Sequence, residues 1–354
     1  MPPLLFHLAA KKDLSTEQAT ELFYFLVNPQ TLDADRVAIL TALRDKGETA
    51  DEVAAFASAM RTAALDPGIP QETGPTARPI LDIVGTGGDG GSTLNISTAA
   101  ALLAAVTMKG RIRVVKHGNR AISSRSGASD VLTALGLPVA MSPQTVRALL
   151  DRTGFTYLHA PHYHLSVAAV ATARKSLGTR SIFNLLGPLT NPAKPNAALI
   201  GAYSPAAAGL IAHAMKQLGF HPGAVVHTPT GEGKGLDEAT TCGHSFTEHH
   251  VDPSKVTSVT RNGTDYRFGV GKLDDLQGKD AAYNAQIIRD IFRGHPHPAT
   301  DTILLNTGLA LSLCDLADVE GCVRLARAAI KDGRAASILN ELESFGREQS
   351  PHAA

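Results

Sequence analysis

Ile83-Val84-Gly85-Thr86-Gly87-Gly88-Asp89-Gly90-Gly91-Ser92-Thr93-Leu94-Asn95-Ile96-Ser97-Thr98 is the stretch on which the reading of this chain turns. The β-rich run Ile80 to Val84 leads into it and the small-apolar run Ile96 to Met108 leads out, so it joins a strand to a helix. Five of the seven residues from Gly85 to Gly91 are glycine. Such density is costly in backbone entropy and suits a loop that needs unusual φ values or an unshielded approach to a ligand. Asn95 falls where a helix cap belongs, and Ser97 and Thr98 put hydroxyls in the first turn, beside free N–H groups that attract anions. The stretch reads as an anion cradle, the plainer alternative being a glycine-rich turn with ordinary capping.

Two familiar phosphate loops do not fit. Gly85, Gly87 and Gly90 satisfy GxGxxG, but a dinucleotide site needs an acidic residue about twenty positions on, and none occurs from Gly90 to Ser129. Gly91 stands where a Walker loop requires lysine. The same acid-free window holds Lys109, Arg111, Arg113, Lys116, Arg120 and Arg125, a positive island in a chain whose 33 basic and 33 acidic residues otherwise cancel. Within it, Lys116-His117-Gly118-Asn119-Arg120 followed by Ser123-Ser124 places cations and hydroxyls at a strand end, where open α/β sheets bind ligands. Each charge-assisted hydrogen bond there contributes on the order of 1.5 to 3 kcal/mol.

The 354 residues, 44% of them hydrophobic, suffice for a large core. Formal neutrality removes the global field that collects nucleic acid or an anionic membrane. Cys242, Cys314 and Cys322 show neither CxxC spacing nor an even count, and Met1 to Leu8 lacks a signal-peptide pattern, so a cytoplasmic location is expected. Residues 14–64 carry helical patterns, and 66–79 read as a linker with Pro67, Pro70, Pro75 and Pro79. Beyond it strand and helix signals alternate, implying a mainly parallel sheet covered by helices. Ser142-Pro143 and Ser204-Pro205 mark helix starts, Val256 to Phe268 reads as a hairpin turning at Asn262-Gly263, and the last seventy or so residues are helical.

GTGGD followed by NIST, then KHGNR with SS, resembles the anthranilate phosphoribosyltransferase family. The likeness continues through Ala173 to Arg180, Phe183 to Pro192, Leu236-Asp237-Glu238, Asp280 with Asn284-Ala285, and Leu305-Asn306, and it extends back to Ala42–Arg61. The resemblance implies a small helical N-terminal domain (1–76, with part of 167–186 packing on it) and a large α/β domain (77–354) of the nucleoside phosphorylase/phosphoribosyltransferase kind. It also implies a homodimer associated through the helical domain. By the same likeness Gly85, Gly88, Asp89, Thr93, Asn95, Ile96, Ser97 and Thr98, with Lys116, His117, Gly118, Asn119, Arg120, Ser123 and Ser124, hold phosphoribosyl pyrophosphate (PRPP). Gly85, Asn119 and Arg174 line the anthranilate site, and Lys116, Asn119 and Arg174 are the catalytic candidates. Asp237 and Glu238, with Ser97 for a second ion, are the expected Mg²⁺ ligands.

Taken alone, Arg174 is a forked cation suited to a carboxylate, or else a surface ion pair. Asp237-Glu238, on a loop after Gly231, Gly233 and Gly235, offers oxygen ligands to a hard cation. His159, His162 and His164 lack the partners of a transition-metal site, and His162 and His164 are expected instead to shape the acceptor entrance. Ala128 stands where many relatives carry a hydroxyl, so a phosphate contact is expected to be missing or moved to Ser129. Two alternatives stay open at this point: a pyrimidine nucleoside phosphorylase, and a noncatalytic nucleic-acid-binding relative of the same fold.

Overall fold

The computed structural model describes residues 3–88, 90, 93–121, 125–231 and 234–349, with Pro3 and Lys234 as backbone only. Asp89, Ser123 and Ser124, all expected to touch the donor, lie outside the described residues. Among the described residues eight strands form one sheet: β1 (Ile80–Gly85), β2 (Arg113–Gly118), β3 (Phe155–His159), β4 (Ala197–Gly201), β5 (Gly223–Gly231), β6 (Lys234–Leu236), β7 (Phe246–Val251) and β8 (Val256–Arg261). Their order is β3-β2-β1-β4-β5-β7-β8, with β6 paired to β5. From β3 to β5 the pairing is parallel, and β6, β7 and β8 add antiparallel.

Strands covered on both faces should be apolar on both, and alternate residues of β1, β4 and β5 divide accordingly. Leu81, Ile83, Ala197, Leu199, Ala224 and Val226 enter one core with the helices Ile96–Thr107, Pro143–Thr153 and those of the C-terminal region. Val84, Ala198, Ile200 and Val225 enter the other, with the N-terminal helices and helix Pro205–Gln217. Helix Ile96–Thr107 is buried all round, which its unbroken alanine and leucine run permits. Val170, Ile182, Phe183, Leu185, Leu186 and Leu189 pack in the second core beside Phe23, Phe56 and Met60, so the 167–186 segment lies against the N-terminal helices.

Helix ends follow the local chemistry. Ser142 and Ser204 each accept a bond from the third residue of their helix, with proline at the first position, and Gly154 closes the first of these helices at φ 77°. Helix Ala50–Thr62 begins with a Thr49/Glu52 capping box. Glu52 is fully buried and also accepts from Leu14 N–H at 2.9 Å and Lys46 Nζ at 3.0 Å. Glu52→Ala removes one partner of a buried pair and one half of the cap, so urea denaturation should show a stability loss of about 3 kcal/mol or more.

The expected hairpin over Val256 to Phe268 does not form. β8 ends at Arg261 and pairs with β7 before it. The Asp265 carboxylate accepts the Asn262 N–H at 2.8 Å, which turns Gly263–Tyr266 into a 3₁₀ helix. No helix of the described residues is long and apolar enough to cross a membrane.

Candidate active site

Chain order runs from β1 outward through β2 to β3, then returns to place β4 on the opposite side of β1. The carboxyl ends of β1 and β4 therefore make a topological switch point, and a cleft of about 560 Å³ opens there. Gly85, Gly118 and Gly201 end three of its strands.

Gly87, Gly88 and Gly90 have φ values of 65°, 70° and 77°, left-handed backbone that accounts for glycine at these positions. Gly85 and Gly201 serve another purpose. A Cβ on Gly85 would lie 2.2 Å from Asp237 Oδ2, and one on Gly201 would lie 1.4 Å from the Asp237 carbonyl oxygen. Their bare backbones let the Asp237-Glu238 segment lie against the strand ends, where Asp237 Oδ2 accepts the Gly87 N–H at 2.7 Å. Thr228 Oγ1 donates to the Glu238 carbonyl, and Asn306 brackets Ala239 by accepting its N–H at 3.2 Å and donating to its carbonyl at 2.7 Å.

Asn95 occupies the N-cap position but does not cap with its side chain. Its amide donates to Ser126 O at 3.2 Å and accepts from Asn284 Nδ2 at 2.9 Å, tying the start of helix Ile96–Thr107 to two distant segments. The Thr98 N–H is used by Asn95 O at 3.1 Å, but the buried Thr98 hydroxyl has no hydrogen-bond partner among the described residues. Ile96 departs from expectation. Its side chain is in the core and its N–H is used by Leu94 O at 2.7 Å, so it has neither group to offer a ligand.

Lys116 is buried under the cleft, donating to Ile83 O and, at 3.3 Å, to Ser97 Oγ. An ammonium has three protons, and these two bonds use two of them. Burial lowers its pKa to about 8, while Asp82 and then Glu238 and Asp237 pull it back up. Asp82 was not singled out in the sequence, where it is one more residue of an apolar strand. It is fully buried, its carboxyl raised by burial to about 6 against the opposing pull of Lys116 and the Asn191 amide. Asn191 donates to it at 2.8 Å and to Val115 O at 2.8 Å, fastening the 187–193 corner to β1 and β2.

His117 stacks edge-on against His164 with centroids 5.1 Å apart, and both line the cleft. Burial first, then His164, pushes the His117 imidazole well below its ordinary range, and burial takes His164 to about 4. Both rings are neutral at pH 7. Arg174 lies on the same wall with its guanidinium 5.3 Å over the Phe183 ring. No carboxylate of the described residues pairs with it, so the surface ion pair is not its role.

The cleft gathers Gly85, Gly88, Thr93, Asn95, Ser97, Thr98, Lys116, His117, Gly118, Asn119, Arg120, Arg174, Asp237 and Glu238. Other expectations fail. The basic island divides because β2 runs through it: Arg113, at its start, bonds Pro70 O and Arg78 O, Lys109 meets Glu341, and neither lines the cleft. Ser129 cannot replace a hydroxyl at Ala128, since its own is buried between Tyr157 OH at 2.7 Å and His159 Nδ1 at 2.9 Å. His159 bonds Ser129 and His162 meets the Tyr163 ring, and neither lines the cleft, whereas His164 lines it against His117.

A helical bundle laid on an α/β sheet, with a glycine- and hydroxyl-lined cleft at the switch point, is the architecture of the two-domain glycosyltransferases. Residues 2–64 match the glycosyl transferase family's helical bundle domain and residues 77–336 its a/b domain. Anthranilate phosphoribosyltransferase of Shewanella sp. (strain W3-18-1) is 40% identical over 349 residues, 98% of this chain and 97% of that protein. The crystal structure of the Thermus thermophilus enzyme of that name superposes with a TM-score of 0.86 at 34% identity, covering 97% of this chain and 99% of that one. The Saccharomyces cerevisiae enzyme in complex with PRPP and Mg gives 0.81 at 26% identity, covering 98% and 99%. The chain belongs to the anthranilate phosphoribosyltransferase family.

Proposed function

We propose that the cleft transfers the 5-phosphoribosyl group of PRPP to the amino group of anthranilate, giving N-(5-phosphoribosyl)anthranilate and pyrophosphate, a step of tryptophan biosynthesis. One observation carries the reading: a single cleft is lined by the glycines and hydroxyls of the β1 loop, by Lys116 and by Arg174, together with apolar Met60, Val167, Ala171 and Phe183. The solved yeast relatives hold PRPP with Mg, and 4-fluoroanthranilate.

At the donor end Gly85, Gly88, Thr93, Asn95, Ser97 and Thr98, with Asp89 and the Lys116–Arg120 and Ser123-Ser124 loop, bind the sugar diphosphate. Asp237 and Glu238, with Ser97, offer oxygen donors only, which fits Mg²⁺, and the bare backbones of Gly85 and Gly201 make the room Asp237 needs. Bound there, Mg²⁺ supplies charge neutralisation to the departing pyrophosphate. Lys116 contributes a fixed positive charge from a dry site, where such charges act strongly. Asn119 orients the acceptor at the reacting carbon. The neutral His117 and His164 rings form its wall, and Arg174 grips its carboxylate. No protein nucleophile is required, so rate comes from positioning and electrostatics.

The division into domains at 1–76 and 77–354 belongs to the same proposal, supported by the irregular 66–79 segment. So does a cytoplasmic homodimer through the helical unit, supported by the exposed Phe6, Tyr24 and Leu32 on its surface. Fluorescence-monitored consumption of anthranilate with PRPP, with and without Mg²⁺, tests the function. Turnover that needs all three is expected, and nucleoside cleavage with phosphate in its place would overturn the proposal. Arg174→Ala should raise the KM for anthranilate by about tenfold or more while leaving the KM for PRPP near wild type, in line with the loss of a bond to a charged group.

A further inference from the structure

Consecutive residues of the glycine loop are held from two sides. The Gly87 N–H is taken by Asp237, while the Gly88 carbonyl accepts a hydrogen bond from Arg180 NH2 at 2.5 Å. The guanidinium of Arg180 in turn lies over the Tyr203 ring, its central carbon 4.1 Å from the centroid. Arg180 follows the short helix Ala171–Leu177 that carries Arg174, after Gly178 at φ 64°, and its neighbour Thr179 accepts from Arg44 NH1 of the N-terminal helices at 2.8 Å. Arg180 has no carboxylate partner among the described residues. Its side chain is exposed, so the fold does not depend on it.

We propose that Arg180 is a positioning residue for the donor loop, a clasp that fixes the Gly88 peptide in the orientation that receives PRPP. A peptide is planar, so holding its carbonyl fixes the whole unit. A loop with several left-handed glycines has many other conformations open to it. Without the clasp the competent one is only fractionally populated, and apparent affinity falls by that fraction. Tyr203 pre-orders the guanidinium by stacking, which makes the two side chains one device. The segment bearing Arg174 at one end thereby senses the donor loop at the other.

The inference rests on reading the glycine loop as the PRPP site, and wild-type turnover tests that reading separately. Steady-state kinetics on the full chain test the clasp. Arg180→Ala should raise the KM for PRPP by about tenfold, as loss of a hydrogen bond to a charged group would, with melting temperature and the KM for anthranilate unchanged. Arg180→Lys keeps a donor but loses the stacked plane, and should fall between wild type and Arg180→Ala. Tyr203→Ala should move the KM for PRPP in the same direction, and the double variant should be no worse than Arg180→Ala alone, since the two act together. A PRPP KM for Arg180→Ala within about twofold of wild type, or a double variant whose effects simply add, would overturn the clasp.

Discussion

Lys116→Met should lower kcat/KM for PRPP by about 10²- to 10³-fold, the usual cost of removing one preorganised donor aimed at developing charge. Methionine keeps the length and most of the volume of the side chain, so the core under the cleft stays filled. What disappears is the buried cation beneath the Gly85 loop, along with its bonds to Ile83 O and Ser97 Oγ. Asp82 then loses the neighbour that holds its carboxyl down, and it responds by taking a proton rather than by unfolding the chain. Anthranilate affinity should change little, because Arg174 and the His117/His164 wall do not depend on Lys116. The pH profile of the wild-type protein carries the same assignment. Burial places the Lys116 pKa at about 8, so raising the pH through that value discharges the cation and kcat/KM for PRPP should fall on the alkaline side. Below it the group is charged and imposes no loss. A Lys116→Met variant should lack that alkaline limb.

Gly201→Ala should cost about 10²-fold in turnover, the penalty for misplacing catalytic groups by an ångström or more. The added methyl would sit 1.4 Å from the Asp237 carbonyl oxygen, a backbone atom with no flexible side chain to swing aside. Gly201 is outside the left-handed region, so alanine suits its backbone and the effect is steric alone. To restore ordinary contact the Asp237 segment must retreat from the strand ends, carrying its carboxylate away from Gly87. The Mg²⁺ concentration needed for half-maximal rate should rise with it. Gly209→Ala provides the control, because that glycine lies in a helix with open space where its Cβ would be. It should leave turnover intact and stabilise the helix slightly.

Motifs in which one residue type meets a local backbone demand were readable in advance. The left-handed glycines Gly87, Gly88 and Gly90, the hydroxyls after Asn95, the Ser-Pro helix starts and the strand-helix alternation each state their role within a few neighbours, whereas Gly85 owes its role to the distant Asp237. Asp237-Glu238 and Arg174 gained theirs from resemblance, since an acidic pair or one helical arginine is ambiguous by itself. The basic island misled because a strand six residues long carries its two termini to opposite ends of the sheet, only the carboxyl end facing the cleft, which no count of charges registers. Asn95 stands at the cap position as read, but its side chain makes no cap bond and instead joins Ser126 and Asn284.

By itself the sequence determined that a glycine-rich loop lies between a strand and a helix in an α/β protein, because backbone freedom and helix capping are properties of adjacent residues. Only the tertiary structure decided that Asp82, Asn191, Asn284 and Asn306 brace that loop and its neighbours, and that Arg180 reaches Gly88. Those contacts join residues 67 to 189 positions apart. Such pairings come from strand order and the packing of two cores, and a side chain's neighbours across a sheet leave no periodic trace along the chain.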